Sequence, residues 1–416
     1  MANYLENEFE KHPSEHLDPS CPPLDLVWMF TLEEKRKLDR SSHFINKEDI
    51  PRRSIVEDNR IIDYLRSQGF TIGLARTLIA NTDAFAARIW LINNSKSMNC
   101  ADGHRVVQDA RHKITNVSCT RWEEVSSTLF WHANFAALMK APSAIRMVHG
   151  AMGHPQQLGV ASSEEVDIQS EIRRLSSLMQ QTPAGSGCEM LPHLREIVDS
   201  CLKIPVELFG EDRFMAIIFV TDRLPIDENG SEGEHVTKEF LETLNMLSGL
   251  PIWVVIRLST DDQHIVDFYN KLDDQMAYVK VESGQVHLDV LDDFVSEAEA
   301  VNNHNPWLNY AYPLHLCRES AVNFPVFDVL NDRPLSHDEL VDFINLLFYR
   351  NPAGVWAAQP LPNPLTHYAQ FRAEVLELVK KGGSLYNPIK RRVQPWIDMR
   401  LMDKIYGPPK KSCVIL

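Results

Sequence analysis

Two short polar runs hold the residues best suited to chemistry. Asn93-Asn94-Ser95-Lys96-Ser97-Met98 closes one apolar run and Thr221-Asp222-Arg223 closes another, so three hydroxyls and one carboxylate stand beside two cations. A hydroxyl becomes a nucleophile only when a base lies in hydrogen-bond reach and a third group orients that base. Ser95 and Ser97 lie in no Gly-x-Ser-x-Gly turn, and the sequence offers them no His and Asp pair, so no catalytic residue is assigned. There is neither a P-loop nor a Gly-x-Gly-x-x-Gly run, which leaves nucleotide binding without a motif. The loop from Asp227 to His235 starts like a calcium loop at Asp227, Asn229 and Ser231. Glu232 then stands where such a loop needs glycine, and the expectation is a solvated turn.

A third group with its own chemistry is Cys413, in the run Cys413-Val414-Ile415-Leu416. This reads as a Cys-a-a-X box in which Leu416 selects geranylgeranyl transfer. Before it come Lys380, Lys381, Lys390, Arg391, Arg392, Arg400, Lys404, Lys410 and Lys411, against Asp398 and Asp403. A basic stem beside a lipid is the two-signal arrangement that holds a protein on an anionic leaflet. The expected location is therefore cytoplasmic, on the cytosolic face of a membrane, tethered through lipidated Cys413. Membrane fractionation of the wild type and Cys413→Ser tests this, and identical distributions would count against it.

The chain as a whole is nevertheless acidic, with 57 Asp and Glu against 42 Lys and Arg for a formal charge of -15. Phosphate binding needs a basic footprint, so nucleic acid is not the expected partner. The seven cysteines are scattered, with no Cys-x-x-Cys pair, and read as reduced cytosolic thiols. The first residues, MANYLENEFEKHPSEHL, are too acidic and polar for a signal peptide. The longest apolar runs fall far short of the roughly 20 residues that span a bilayer.

The elements that must position these groups follow from periodicity. RIWLIN (Arg88 to Asn93), FMAIIFVTD (Phe214 to Asp222) and PIWVVIRLSTDD (Pro251 to Asp262) are apolar runs that end abruptly in polar residues, as buried parallel strands do. Helical periods fill 120–141, 164–181, 190–203, 236–249 and 261–274. Strands alternating with helices give an α/β fold with a doubly wound, mostly parallel, Rossmann-like sheet, whose ligands sit beyond the carboxyl ends of the strands. The predicted division is a mostly disordered arm over 1–54, a helical N-terminal hairpin over 55–85, the α/β domain over 86–290, a helical C-terminal appendage over 291–405 and a basic tail over 406–416. The hairpin's Gln68-Gly69-Phe70 turn is weakly similar to a ubiquitin-associated domain.

With these loops placed at strand ends, the chain resembles a von Willebrand factor A domain. In that family an Asp-x-Ser-x-Ser loop after the first strand, a Thr in a middle loop and an Asp after the fourth strand cradle one divalent cation. The resemblance implies Ser95, Ser97 and Asp222 as metal-site positions, with Asn93 in place of the first Asp and Lys96 between the serines. The middle loop aligns either on Thr182-Pro183 or on Cys188, and the match of LPHLREI (Leu191 to Ile197) to the following helix favours Cys188. One firm carboxylate holds a hard cation such as Mg²⁺ poorly, so the adhesion site is read as degenerate. Asn93, Lys96 and Asp222 can instead hydrogen-bond one another and keep the loop shape. The chain is also similar to a plant, algal and protist-type group of such proteins through CTRWEE (Cys119 to Glu124), LPIWVVIRLSTDD (Leu250 to Asp262), VLDDF (Val290 to Phe294), NPWLNYAYPLH (Asn305 to His315) and NPIKRRVQPWIDM (Asn387 to Met399).

The expected function is a non-enzymatic binding module that engages another protein through its strand-end loops with little or no metal and no other cofactor. The alternative is a divergent Mg²⁺-dependent enzyme or adaptor that uses Ser95, Ser97 and Asp222.

Overall fold

A computed structural model describes residues 59–108, 114–150, 153–161, 167–187, 189–204, 214–227, 229–278, 287–322, 324–348 and 361–409. The arm over 1–54 and residues 410–416 of the tail, Cys413 among them, lie outside the described residues. The chain enters through helices α1 (Asn59–Ser67) and α2 (Ile72–Ala84) and passes directly into strand β1 (Phe85–Ile92). A hairpin of β2 (Gly103–Gln108) and β3 (Ile114–Cys119) leads to α3 (Arg121–Met139). Then follow β4 (Ser143–Met147), β5 (Gln157–Val160), α4 (Ile168–Met179), α5 (Met190–Leu202), β6 (Phe214–Thr221), α6 (Glu234–Asn245), β7 (Ile252–Leu258), α7 (Gln263–Tyr278) and β8 (His287–Leu291). The remainder comprises α8 (Phe294–His304), α9 (Tyr312–Glu319), α10 (Pro325–Asp328), α11 (His337–Phe348), α12 (Tyr368–Gly382), a hairpin of β9 (Ser384–Asn387) and β10 (Arg392–Pro395), and α13 (Met399–Tyr406).

The central sheet runs β5-β4-β1-β6-β7-β8, parallel throughout except for the antiparallel edge pair β4 and β5. From β1 the chain builds β4 and β5 to one side and then β6, β7 and β8 to the other. The strand order therefore reverses between β1 and β6, and their carboxyl ends open a crevice. β6 alternates between two cores, and β1 does so after a register shift at its start, where Ala86 and Ala87 join the same one. In β6, Met215, Ile217 and Phe219 join a cluster with α5, α6 and α7, while Ala216, Ile218 and Val220 join one with α3 and α4. Burial on both faces explains why these strands read as unbroken apolar runs.

The predicted doubly wound sheet is present, with three strands that periodicity did not reveal. β4 carries Arg146, and the guanidinium is fully buried against Glu196 of α5 at 2.5 Å and the His193 Nδ1 at 3.0 Å. β8 carries Asp289, 3.4 Å from Arg318 of α9. Neither strand could be recognised while its charge lacked a visible partner, and β5 is a four-residue edge.

Two features differ from the expected layout. The C-terminal region is not helical throughout, since β9 and β10 pair as an antiparallel hairpin. The N-terminal hairpin also shares one core with the C-terminal helices: Ile62, Leu65, Leu74 and Leu78 pack in the same cluster as Trp307, Phe343, Leu347, Phe371, Trp396 and Met402. The Gln68-Gly69-Phe70 turn is enclosed in that packing. Phe70 stacks on Trp131 with ring centroids 5.8 Å apart, and the Trp131 Nε1 donates to the Gln68 Oε1 at 2.5 Å.

Candidate functional site at the strand ends

The carboxyl ends of β1 and β6 deliver the polar runs to one place, because β1 and β6 are neighbours in register through Ile92 and Val220. The Asn93 amide N–H continues the ladder to the Val220 carbonyl at 2.9 Å, which sets Asn93 directly against Asp222. The Asn93 Nδ2 donates to the Asp222 Oδ1 at 2.6 Å, and the Asn93 Oδ1 accepts the Ser95 amide at 2.9 Å. Asn93, Ser95 and Asp222 are all buried. The Ser95 and Ser97 hydroxyls bond each other at 2.9 Å, and the Arg223 Nε donates to the Ser97 Oγ at 3.0 Å.

The middle loop reaches the same cluster through its backbone. Ser95 bridges Gly185, whose carbonyl accepts the Lys96 amide at 2.8 Å, and the Asn99 Nδ2 donates to the Pro183 carbonyl at 2.9 Å. Gly185 is required here by close approach, because a Cβ at that position would overlap the His149 ring. His149 is itself held by Asn94, whose side chain donates to its carbonyl at 2.9 Å and accepts its amide at 2.8 Å. Thr182 is exposed, and Cys188 lies outside the described residues.

The residue that completes the cluster is Arg121, which lies within CTRWEE and to which the sequence by itself gives no role. The Arg121 Nη1 donates to the Asp222 Oδ2 at 2.7 Å, and its Nε and Nη2 grip the Asp102 carboxylate at 2.7 and 2.5 Å. Burial pulls the Arg121 pKa down, and the hydrogen bonds and charges of Asp102 and Asp222 outweigh it, so the guanidinium is firmly charged. The same guanidinium holds the Asp102 carboxyl below its usual range. Arg121 is the first residue of α3, whose N-terminus is closed by a capping box of Thr120 and Glu123. A cation in the first turn opposes the helix dipole, so an arginine there signals a carboxylate partner elsewhere in the fold. Asp102 and Asp222 are those partners, and neither is near it in sequence.

Lys96 does not take the expected part. It is exposed, and Arg121 from a different element supplies the charge that faces Asp222. The physical reason is the short 3-10 turn over Lys96–Asn99, which buries Met98 and turns Lys96 outward. The Asp227 loop is a turn in which one Asp227 oxygen accepts the Asn229 and Ser231 amides, each at 2.8 Å.

As arranged, these donors suit an ion pair better than a divalent cation. Both oxygens of Asp222 are occupied by side chains of the chain itself, and one of those partners is cationic. The serine hydroxyls are committed to each other and to Arg223. Among the described residues no group of three or more His, Cys, Asp or Glu gathers as metal ligands. A second acidic region adjoins the site at the ends of β7 and β8, where burial and the neighbouring Asp293 push the Asp292 carboxyl up to about 6. Among the described residues, no helix is long and apolar enough to cross a membrane.

No family model matches the chain, and no curated protein does. Among solved structures it is similar to a point mutant of the PilB minor pilin from Streptococcus sanguinis, at 11% identity and a TM-score of 0.31 over 50% of this chain and 56% of that one. It is also similar to a von Willebrand factor type A structure from Catenulispora acidiphila, at 12% identity and a TM-score of 0.25 over 51% of this chain and 40% of that one. The chain thus spans 56% and 40% of the lengths of these two structures. By its own topology, it is a mixed α/β protein built on a mostly parallel, Rossmann-like sheet.

Proposed function

We propose that the chain is a von Willebrand factor A-like module, non-enzymatic, that binds another protein through the loops at the carboxyl ends of β1 and β6 with little or no metal. The observation that carries this reading is the closure of Asp222 by Asn93 and Arg121, which leaves the loops shaped but their carboxylate spent. Catalysis would need a nucleophile with a base, and the two serine hydroxyls instead bond each other, with Ser97 also accepting from Arg223. The cationic side chains of the two loops that face solvent are Lys96 and Arg223, and Ser97 is half-buried.

The test is affinity capture with the full-length chain. Lys96→Glu combined with Arg223→Glu is expected to lose at least one protein retained by the wild type. The control Lys238→Glu, an exposed position on α6, is expected to retain it. Equal capture by all three would remove the strand-end loops as the binding face.

A further inference from the structure

We propose that Arg121 is the resident cation of the strand-end site, supplying Asp222 and Asp102 with the positive charge that a dissolved divalent ion would otherwise provide. The inference rests on the von Willebrand factor A-like reading for the comparison with a metal, but its geometry stands alone. Asp222 is only 1% exposed, and an ionised carboxylate so deeply placed requires a partner. One of its oxygens is met by the Asn93 amide at 2.6 Å and the other by the Arg121 guanidinium at 2.7 Å. A planar fork with five N–H groups can serve two carboxylates at once, and Arg121 does so from a side chain that is only 12% exposed. A divalent ion approaching Asp222 would face that fixed charge.

The guanidinium also joins three segments that are distant in sequence. Asp102 follows the 3-10 turn, Arg121 begins α3 and Asp222 follows β6, while the Arg121 amide is itself bonded to the Cys100 carbonyl at 3.0 Å. A covalently attached cation cannot dissociate, so the loop arrangement is held at every concentration of divalent ion. Asn93 fits the same scheme: an amide at that position donates to Asp222, where a second carboxylate would repel it. The asparagine and the arginine are thus two parts of one substitution, in which a metal's charge and its bonds to Asp222 pass to side chains.

The experiment is thermal unfolding of the full chain, in EDTA and in millimolar Mg²⁺, for the wild type, Arg121→Met, Arg121→Lys, Asp222→Asn and the double variant Arg121→Met/Asp222→Asn. The wild-type Tm is expected to be the same in both solutions. Arg121→Met is expected to lower Tm by about 5 °C. That loss should fall by at least half in the Asp222→Asn background, because the charge to be neutralised has gone. A wild-type Tm that rises with Mg²⁺ and falls in EDTA would overturn the proposal. So would an Arg121→Met loss of equal size in both backgrounds. If Arg121→Met does not accumulate as folded protein, the Mg²⁺ and EDTA comparison of the wild type and Arg121→Lys decides alone. None of these readings involves a partner, so they can fail while capture through Lys96 and Arg223 succeeds, and the reverse.

Discussion

Replacing Arg257 by alanine is expected to destabilise the protein by about 3–5 kcal/mol, the range for removing one member of a buried ion pair. Arg257 lies on β7 and is 2% exposed. It binds Glu124 of α3, the Glu319 Oε1 at 3.2 Å, the Leu258 carbonyl at 2.7 Å and the Ser259 Oγ at 2.7 Å. Glu319 also faces His132 at 3.1 Å and His315 at 3.4 Å. Burial would raise the Glu319 pKa, but His315, His132 and Arg257 together hold it well below the usual carboxylate range. Without Arg257, two buried carboxylates lose their shared guanidinium, and Glu124 loses its ion-pair partner. Equilibrium urea denaturation measures the loss, and a change under about 1 kcal/mol would mean that solvent compensates the two glutamates. The triple replacement of Arg257, Glu124 and Glu319 by apolar residues of similar volume is expected to cost less than Arg257→Ala alone, since it leaves no charge unpaired.

The position of Arg257 gives this loss a functional reach. Glu124 lies one helical turn after Arg121, and its other oxygen accepts the His104 amide at 2.8 Å, close to Asp102. The network therefore seats the start of α3, and with it the guanidinium that meets Asp222.

Gly73→Ala is expected to be the second severe change, costing about 3 kcal/mol, at the upper end for overpacking a core. Gly73 faces α11, and a Cβ there would come far inside 3.0 Å of the Leu346 and Leu347 carbonyl oxygens. These are backbone atoms, so no side-chain rotation relieves the overlap and α2 must move away from α11. Thr71, the N-cap of α2, is tied to the same stretch through its hydroxyl bond to the Leu347 carbonyl, and would be displaced as well. Urea denaturation monitored by tryptophan fluorescence checks the magnitude. A loss no larger than the helix-propensity gain of alanine over glycine, about 1 kcal/mol, would show that the two helices separate easily. The same contact packs the N-terminal hairpin directly against α11.

The sequence alone determined the α/β class, the three central strands and the convergence of Ser95, Ser97 and Asp222. Strands buried on both faces must be continuously apolar, and their abrupt polar ends mark where a doubly wound sheet opens. The helical period read over 120–141 likewise corresponds to α3, whose start the Thr120 and Glu123 capping box closes. Tertiary structure alone decided the rest, because the deciding partners are remote. Arg146 in β4 and Asp289 in β8 look misplaced until α5 and α9 bring Glu196 and Arg318 to them. Lys96, adjacent to the serines, turns outward, while Arg121 reaches Asp222 across 101 positions of sequence. Local spacing records which groups can share one loop. Which charge neutralises a buried carboxylate depends on the packing of whole elements, and here that packing selects the cation at the start of α3.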